Sequence, residues 1–505
     1  MRRQNALVST FASADRITAA LAFGFNRGHP EGPAVYLLGS VDHQKFAMWP
    51  VPSDPKAFAD RRRKLAEPLE WPALFVAGRA RPRNFQANLH GYRAESHFLY
   101  FVGRPIEGAA LLIEPQQGAV LYAPEPDPEE ELWTGRQASL AELERELGIT
   151  TKPISDLAPP SDTATLPAQD LETAFWQSEM LGRDIEPGSG PELKGPDRAL
   201  AEAVITLRLK HDAAVIAQLR QAAEATRLAH AAGALATRPR RYEAEVRGAM
   251  EGAILASGCV CAYQPIVTVA GEVLHNNRYD GAINEHDLLL ADVGAETPEG
   301  WAGDVTRVWP AGTKFSTTQR EIYEVVLQAQ LAAIAAVRPG VRYLEVHRVA
   351  GKAVVRGLIA LGILRGDADD LYERGAAALF FPHGIGHLIG LDVHDMEDLG
   401  DLAGYAPGRE RSESFGDRYL RLDRDLEAGM AVTIEPGYYA IKRLLQRPEE
   451  VGDLESSLNR SVLARYADVR GIRIEDDVLV TKDGAEVLTA GIPKTVAEIE
   501  AARAS

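Results

Sequence analysis

Five residues in the second half of the chain carry acid or imidazole side chains at the ends of strand-like runs or beside glycine. Asp292 closes the apolar run Leu288-Leu289-Leu290-Ala291 and is followed by Val293-Gly294-Ala295. Asp304 follows Ala302-Gly303 and leads into Val305-Thr306-Arg307, and His387 ends Phe381-Pro382-His383-Gly384-Ile385-Gly386-His387. Glu435 sits in Thr433-Ile434-Glu435-Pro436-Gly437, and Glu475 ends Gly471-Ile472-Arg473-Ile474-Glu475. Taken singly, an Asp beside glycine is a turn residue, and a Glu before Pro-Gly closes a strand into a loop. Glu435 and Glu475 stand out because each follows a run of β-type residues, where a charge is seldom buried unless it is paired or bound to a cation. Four carboxylates and one imidazole form an oxygen-rich donor set suited to Mn²⁺, Co²⁺ or Zn²⁺. Two divalent ions would balance four carboxylate charges, so the set fits a two-metal hydrolase.

The elements that must position these side chains are legible in outline. The apolar runs Leu288–Val293, Ala431–Ile434, Ile472–Ile474 and Val478–Val480 read as strands. A long helical pattern runs from Ala199 to about Leu235. Ser316-Thr317-Thr318-Gln319 opens another helix as a capping box. Behind it Ile322, Val326, Ala329, Ala333 and Val337 recur at helical spacing, and Pro339-Gly340 stops it. Helices followed by returning strands predict an α+β region with an antiparallel, curved sheet. Upstream, Phe98–Gly103, Ala109–Ile113 and Ala119–Tyr122 read as short strands and Leu140–Leu147 as an acidic helix. Together they predict a smaller mixed α/β domain ending near the Pro/Gly-rich stretch Pro187–Gly195.

At 505 residues the chain exceeds what one hydrophobic core usually serves, so two domains are expected. The expected division is 1–57 as an N-terminal extension of unassigned role, 58–198 as the smaller domain and 199–505 as the larger one. A net charge of −17 argues against nucleic acid and anionic membranes as partners. The two cysteines, Cys259 and Cys261, exclude a disulfide-built fold and read as reduced thiols on one face of a strand. No apolar run approaches the ~20 residues that span a bilayer. Arg2 and Arg3 precede only the short apolar stretch Ala19–Phe25, a poor signal peptide, and a cytoplasmic location is expected.

The ordered set Asp292, Asp304, His387, Glu435, Glu475 resembles the metallopeptidases of the pita-bread fold, which include methionine aminopeptidase, aminopeptidase P and prolidase. Asp-Val-Gly-Ala, Asp-Val-Thr-Arg, His-Gly-Ile-Gly-His, Glu-Pro-Gly and Gly-Ile-Arg-Ile-Glu-Asp occur in that order, and the resemblance runs from about Phe58 to the C-terminus. His387-Leu388-Ile389-Gly390-Leu391-Asp392-Val393-His394 is similar to the proline-directed branch. Tyr92-Arg93-Ala94-Glu95-Ser96-His97-Phe98-Leu99-Tyr100 is similar to a segment of that branch's N-terminal domain. Two departures are visible. The step from Asp292 to Asp304 is one residue longer than the family pattern, which places an insertion in the turn Thr297-Pro298-Glu299-Gly300, and the stretch before His275 is slightly shorter.

The resemblance implies a pita-bread catalytic domain behind an aminopeptidase P-like N-terminal domain. It also implies two metal ions, Mn²⁺ being the expected species with Zn²⁺ or Co²⁺ as alternatives. Asp292 would bind one ion, His387 and Glu435 the other, and Asp304 and Glu475 would bridge them around a nucleophilic hydroxide. Glu435 would be the general base. His383 and His394 would orient the substrate and stabilise the tetrahedral intermediate, and His275 would close the proline side. Arg473, two residues before Glu475 on the same strand face, reads either as a residue of the pocket or behind the ligands, or as half of a surface ion pair. An X–Pro bond needs a dedicated enzyme because its nitrogen carries no hydrogen.

Two inserts, Glu397–Asp425 and Lys442–Arg470, resemble prolidases more than aminopeptidase P. Arg421 stands fourteen residues before Glu435, matching the prolidase arginine that holds the substrate's C-terminal carboxylate. The expectation is therefore an Xaa-Pro dipeptidase acting on X–Pro dipeptides or short peptides as a homodimer. The alternatives are an Xaa-Pro aminopeptidase acting on longer peptides and a metal-free binding module of the same fold.

Overall fold

The computed structural model describes residues 54–188 and 192–504. All but the last residues of the N-terminal extension, with Ala19–Phe25 and the arginines before it, lie outside the described residues. The first part is built on a five-stranded mixed sheet. Its strands, in spatial order, are Thr150–Pro153, Gly118–Ala123, Ala110–Glu114, Ala73–Val76 and Ala164–Thr165. The two inner pairings are antiparallel, with Ala73 opposite Ile113 and Ala110 opposite Tyr122, and the two outer pairings are parallel. The helix expected over Leu140–Leu147 forms, with a capping box between Ser139 and Glu142.

Phe98–Gly103, expected as a strand, lies instead in a helix over Ser96–Val102 that ends at Gly103. Nearly every side chain of that helix is buried, so no alternation of polar and apolar residues distinguishes a helix from a strand there. The ends decide it. The Glu95 carboxylate accepts from the Phe98 N–H at 3.1 Å, and Gly103 stops the helix at φ +76°. A side chain at Gly103 would meet the Phe58 ring at 2.4 Å.

The helical tract from Ala199 is two helices, Gly195–Arg208 and Ala213–Ala236. Asp212 breaks it by capping the second: its carboxylate accepts from the Val215 N–H at 2.9 Å and also holds Arg61 at 2.8 Å. The first helix contains the expected domain boundary, and one hydrophobic core runs from Leu65 beneath it to Val480. The capping box at Ser316 forms, opening a helix over Thr317–Ala336 that packs against Tyr343–Ala360.

The strands of the larger region pair antiparallel as expected, but in separate short ladders rather than one continuous sheet. Leu288–Asp292 lies between Ile266–Thr268 and Thr306–Pro310, with Asp292 opposite both Ile266 and Thr306. Asp476–Val480 lies between Ala431–Ile434 and Ala485–Val487. Gly437–Tyr439 pairs with Gly471–Arg473. Glu435 and Glu475 therefore occupy equivalent places, each in the gap where its chain leaves one ladder for the next. Pro436, which has no N–H to donate, enforces one of those gaps. Cys259 is buried just before the two-residue strand Val260–Cys261, and both thiols are free. Among the described residues no helix is long and apolar enough to cross a membrane.

Candidate metal centre

The breaks between ladders bring the five sequence-selected residues together. Ligand atoms of Asp292, Asp304 and Glu475 lie within 4.8 Å of one another, as do those of His387, Glu435 and Glu475. A third set adds His394 to Asp304 and His387. The His387 Nε2 is 3.4 Å from Asp304 and 3.8 Å from Glu435.

Side chains outside the set fix its orientation. The Tyr263 hydroxyl lies 2.6 Å from Asp292 and 2.5 Å from Asp304, spanning the two aspartates. Thr306 donates its hydroxyl to Glu475 at 2.6 Å, and the Asp304 N–H donates to the Asp477 carboxylate at 3.1 Å. Arg473 is buried, and donates to Asp292 at 2.6 Å, to the Thr306 hydroxyl at 2.9 Å and to the Tyr439 hydroxyl at 2.9 Å. It is a buried clamp on one of the aspartates, not a surface ion pair.

The electrostatics are those of a site short of positive charge. Burial pushes the Glu435 carboxyl up to about 8, with Arg473 opposing and the neighbouring aspartates adding to the rise. Burial likewise lifts Glu475 well above the usual carboxylate range, reinforced by Asp304, Glu435 and Asp292. Asp292 is raised by burial in spite of Arg473. The imidazole of His387 gives its Nδ1–H to the Leu388 carbonyl at 3.0 Å. Its Nε2 therefore points at two carboxylates, the place from which an imidazole with its other nitrogen tied to a carbonyl can ligate a metal ion. Four hard oxygen donors with one imidazole fit a pair of divalent ions.

This cluster lines a cavity of about 850 Å³ that also receives His275, His383, His394, Arg421 and Arg473. His383 gives Nδ1–H to the Gly384 carbonyl at 2.8 Å, so its Nε2 accepts from the Tyr439 hydroxyl at 2.9 Å. Burial, with the charge of Arg473, pushes His383 down to about 3. His275 is lowered by the same two causes in the same order. The His394 ring packs edge-on against His387 at 4.4 Å between centroids. Arg421 reaches the cavity, but its Nη1 is bonded to both carboxylate oxygens of Glu397. Sequence reading passed over Tyr263, Tyr439 and Glu397. Only Tyr439 had a local mark, standing just after Glu435-Pro436-Gly437.

The fold and the buried donor cluster are those of a pita-bread metallopeptidase. Residues 217–482 match the model of Metallopeptidase family M24, and residues 58–175 match that of the aminopeptidase P N-terminal domain. The chain is 34% identical over 424 residues to the probable Xaa-Pro aminopeptidase pepP of Aspergillus clavatus, across 81% of this chain and 88% of that protein. The corresponding protein of Penicillium rubens is 33% identical over 425 residues, with 81% and 88% covered. Among solved structures, Pseudomonas aeruginosa aminopeptidase PepP superposes with a TM-score of 0.72 at 31% identity, covering 90% of this chain and 99% of that one. Escherichia coli aminopeptidase P with the inhibitor Pro-Leu also gives 0.72, at 29% identity, covering 89% and 98%. The chain belongs to metallopeptidase family M24, a family of dinuclear metal enzymes. The names of its relatives favour the aminopeptidase alternative over the dipeptidase expected from Arg421 and the two inserts.

Proposed function

We propose that the protein is an Xaa-Pro aminopeptidase, releasing the N-terminal residue from peptides that carry proline at the second position. The observation that carries the peptidase reading is the convergence of Asp292, Asp304, His387, Glu435 and Glu475 at one cavity in a family M24 chain, and the Xaa-Pro aminopeptidases it resembles support the choice of substrate. These five residues would hold two divalent ions, with Mn²⁺ the expected pair. When bound, the ions would polarise the scissile carbonyl and activate the attacking water.

The chain's own residues supply the remaining steps. Glu435 takes a proton from the attacking water and passes it to the proline nitrogen, which has no hydrogen of its own and must be protonated to leave. His383 and His394 line the cavity beside the cluster and orient the peptide, while His275 closes the proline side. Arg473 and Tyr263 keep the aspartates in place. The division at 1–57, 58–198 and 199–505, a homodimeric state and a cytoplasmic location belong to the same proposal.

The test is a Mn²⁺-loaded assay of residue release from an X–Pro-Y tripeptide beside the X–Pro dipeptide. The tripeptide should be cleaved and a chelator should abolish cleavage. Release from the dipeptide alone would restore the dipeptidase reading. No release from either would remove both.

A further inference from the structure

The cavity wall beside His394 carries an ion pair that no part of the mechanism uses. Glu397 lies three residues after His394, and its Oε2 is 3.2 Å from the His394 Nδ1. The same carboxylate takes both of its oxygens to the Arg421 Nη1, which is itself 3.5 Å from the His394 Nδ1. Glu397 and Arg421 are each about one-third exposed, at 37% and 38%, and both line the cavity that holds the donor cluster. The backbone fixes the pair there. Met396 adopts φ +59°, Gly400 φ +58°, and the short helical turn Glu397–Leu399 lies between them. A non-glycine residue in that region persists only where its surroundings demand it.

A lone guanidinium in this position would bind a free carboxylate through its fork of donors. Here the Nη1 end is held by an acid of the protein, so the Nη2–Nε edge that remains lies beside a negative charge. A dipeptide would bring a second carboxylate to the same arginine, against the charge of Glu397. An internal peptide bond makes no such demand. Its carbonyl can accept from the Arg421 Nη2 and Nε, which have no protein partner among the described residues. Its N–H can donate to a remaining lone pair of Glu397. The pair offers a donor and an acceptor side by side, the complement of an amide rather than of a carboxylate.

We propose that Glu397, by holding Arg421, is a specificity-determining residue that selects X–Pro-Y and longer peptides over X–Pro dipeptides. The inference rests on the X–Pro reading of the site and adds the residue that sets substrate length.

The experiment compares wild type, E397Q, E397A, R421A and the double variant E397Q/R421A. Each is loaded with Mn²⁺ and assayed on an X–Pro dipeptide and an X–Pro-Y tripeptide with the same X. Wild type should prefer the tripeptide. E397Q and E397A should each move the dipeptide-to-tripeptide ratio of kcat/KM about tenfold or more toward the dipeptide, the scale of one charge-assisted hydrogen bond, chiefly through the dipeptide KM. In the R421A background the E397Q substitution should leave the ratio unchanged. A ratio unmoved in both single Glu397 variants, or moved equally without Arg421, overturns the inference. So does a wild-type preference for the dipeptide.

Calorimetric titration of proline and prolinamide gives the same comparison without turnover. Wild type should bind the amide better, and E397Q should reverse or erase that order. If wild type cleaves neither peptide, the proposed function falls, and the calorimetric ratio still decides the role of Glu397.

Discussion

Replacing Arg208 by Met should destabilise the protein by about 3–5 kcal/mol, the usual cost of removing one partner from a buried ion pair. Arg208 ends the helix Gly195–Arg208 and is 1% exposed. Its Nη2 donates to Asp395 at 2.6 Å and to Asp392 at 3.0 Å, and its Nη1 lies 3.0 Å from the His97 Nδ1. Asp392 would keep a partner after the substitution, because Arg93 also reaches it at 3.1 Å. Asp395, with a side chain only 2% exposed, would be left charged without a cation. The cost therefore falls mainly on one carboxylate, and neutralising it should recover most of the loss. The double variant R208M/D395N retains an acceptor for the Asp392 N–H, which Asp395 now serves at 3.1 Å. It should lie within about 1–2 kcal/mol of wild type, the cost of hydrogen bonds rather than of a stranded charge. Urea unfolding followed by the fluorescence of the buried Trp301 and Trp309 measures both variants. Asp395 is the neighbour of His394, so peptidase activity should fall in the single variant and return with stability in the double one. A single-variant cost under about 1 kcal/mol, or a double variant no more stable than the single, would show that Asp395 is not stranded by the loss of Arg208.

Three further outcomes are expected. Thorough chelation should lower the melting temperature and added Mn²⁺ restore it, by about 2.7 kcal/mol of stability at a free ion concentration of one hundred times Kd; coincident melting curves would contradict a preformed site. His230 is buried with its Nε2 on the Val293 carbonyl at 3.0 Å, and burial with the charge of Arg307 pushes it down to about 3. Its folded form thus binds a proton later than the unfolded chain does, at about 6.5, so stability should fall below that pH by up to about 1.4 kcal/mol per unit. H230Q should remove that slope between about pH 6.5 and 5, and an unchanged slope counts against it. At Gly294 a Cβ would sit 1.8 Å from the Gly303 carbonyl oxygen, between the two aspartate-bearing segments. G294A should cost about 1–3 kcal/mol or more and reduce the metal retained after dialysis, read by elemental analysis; full metal content at native stability would show that the segments can part freely.

What could be read from the sequence was what each residue states about itself and its near neighbours. Glu435 and Glu475 are conspicuous because an acid after a β-type run is costly without a partner, and the structure sets both at gaps between ladders. Ser316 and Gln319 declare their helix start because a capping box is complete within four residues. Phe98–Gly103 misled for a physical reason: a segment buried on all sides has no period, and its helical state rests on Glu95 and Gly103 at its ends. The split at Asp212 is a cap of the same kind, placed inside a tract whose apolar spacing runs on through it.

Partners distant along the chain carry no such mark. Tyr263 is 29 residues from one aspartate it spans and 41 from the other, and nothing beside it in the sequence points to either. The choice between dipeptide and longer peptide turns on the same blindness. Arg421 is visible at its distance from Glu435, and a guanidinium fork at that place reads naturally as a carboxylate clamp. Whether it clamps the substrate depends on an acceptor 24 residues away, Glu397, brought back by the turn that follows His394. A guanidinium's chemistry is fixed by its own atoms, but its availability is fixed by what the fold sets against it. Here the fold sets an acid there, and the side chain that suggested a dipeptidase is held by the protein's own carboxylate.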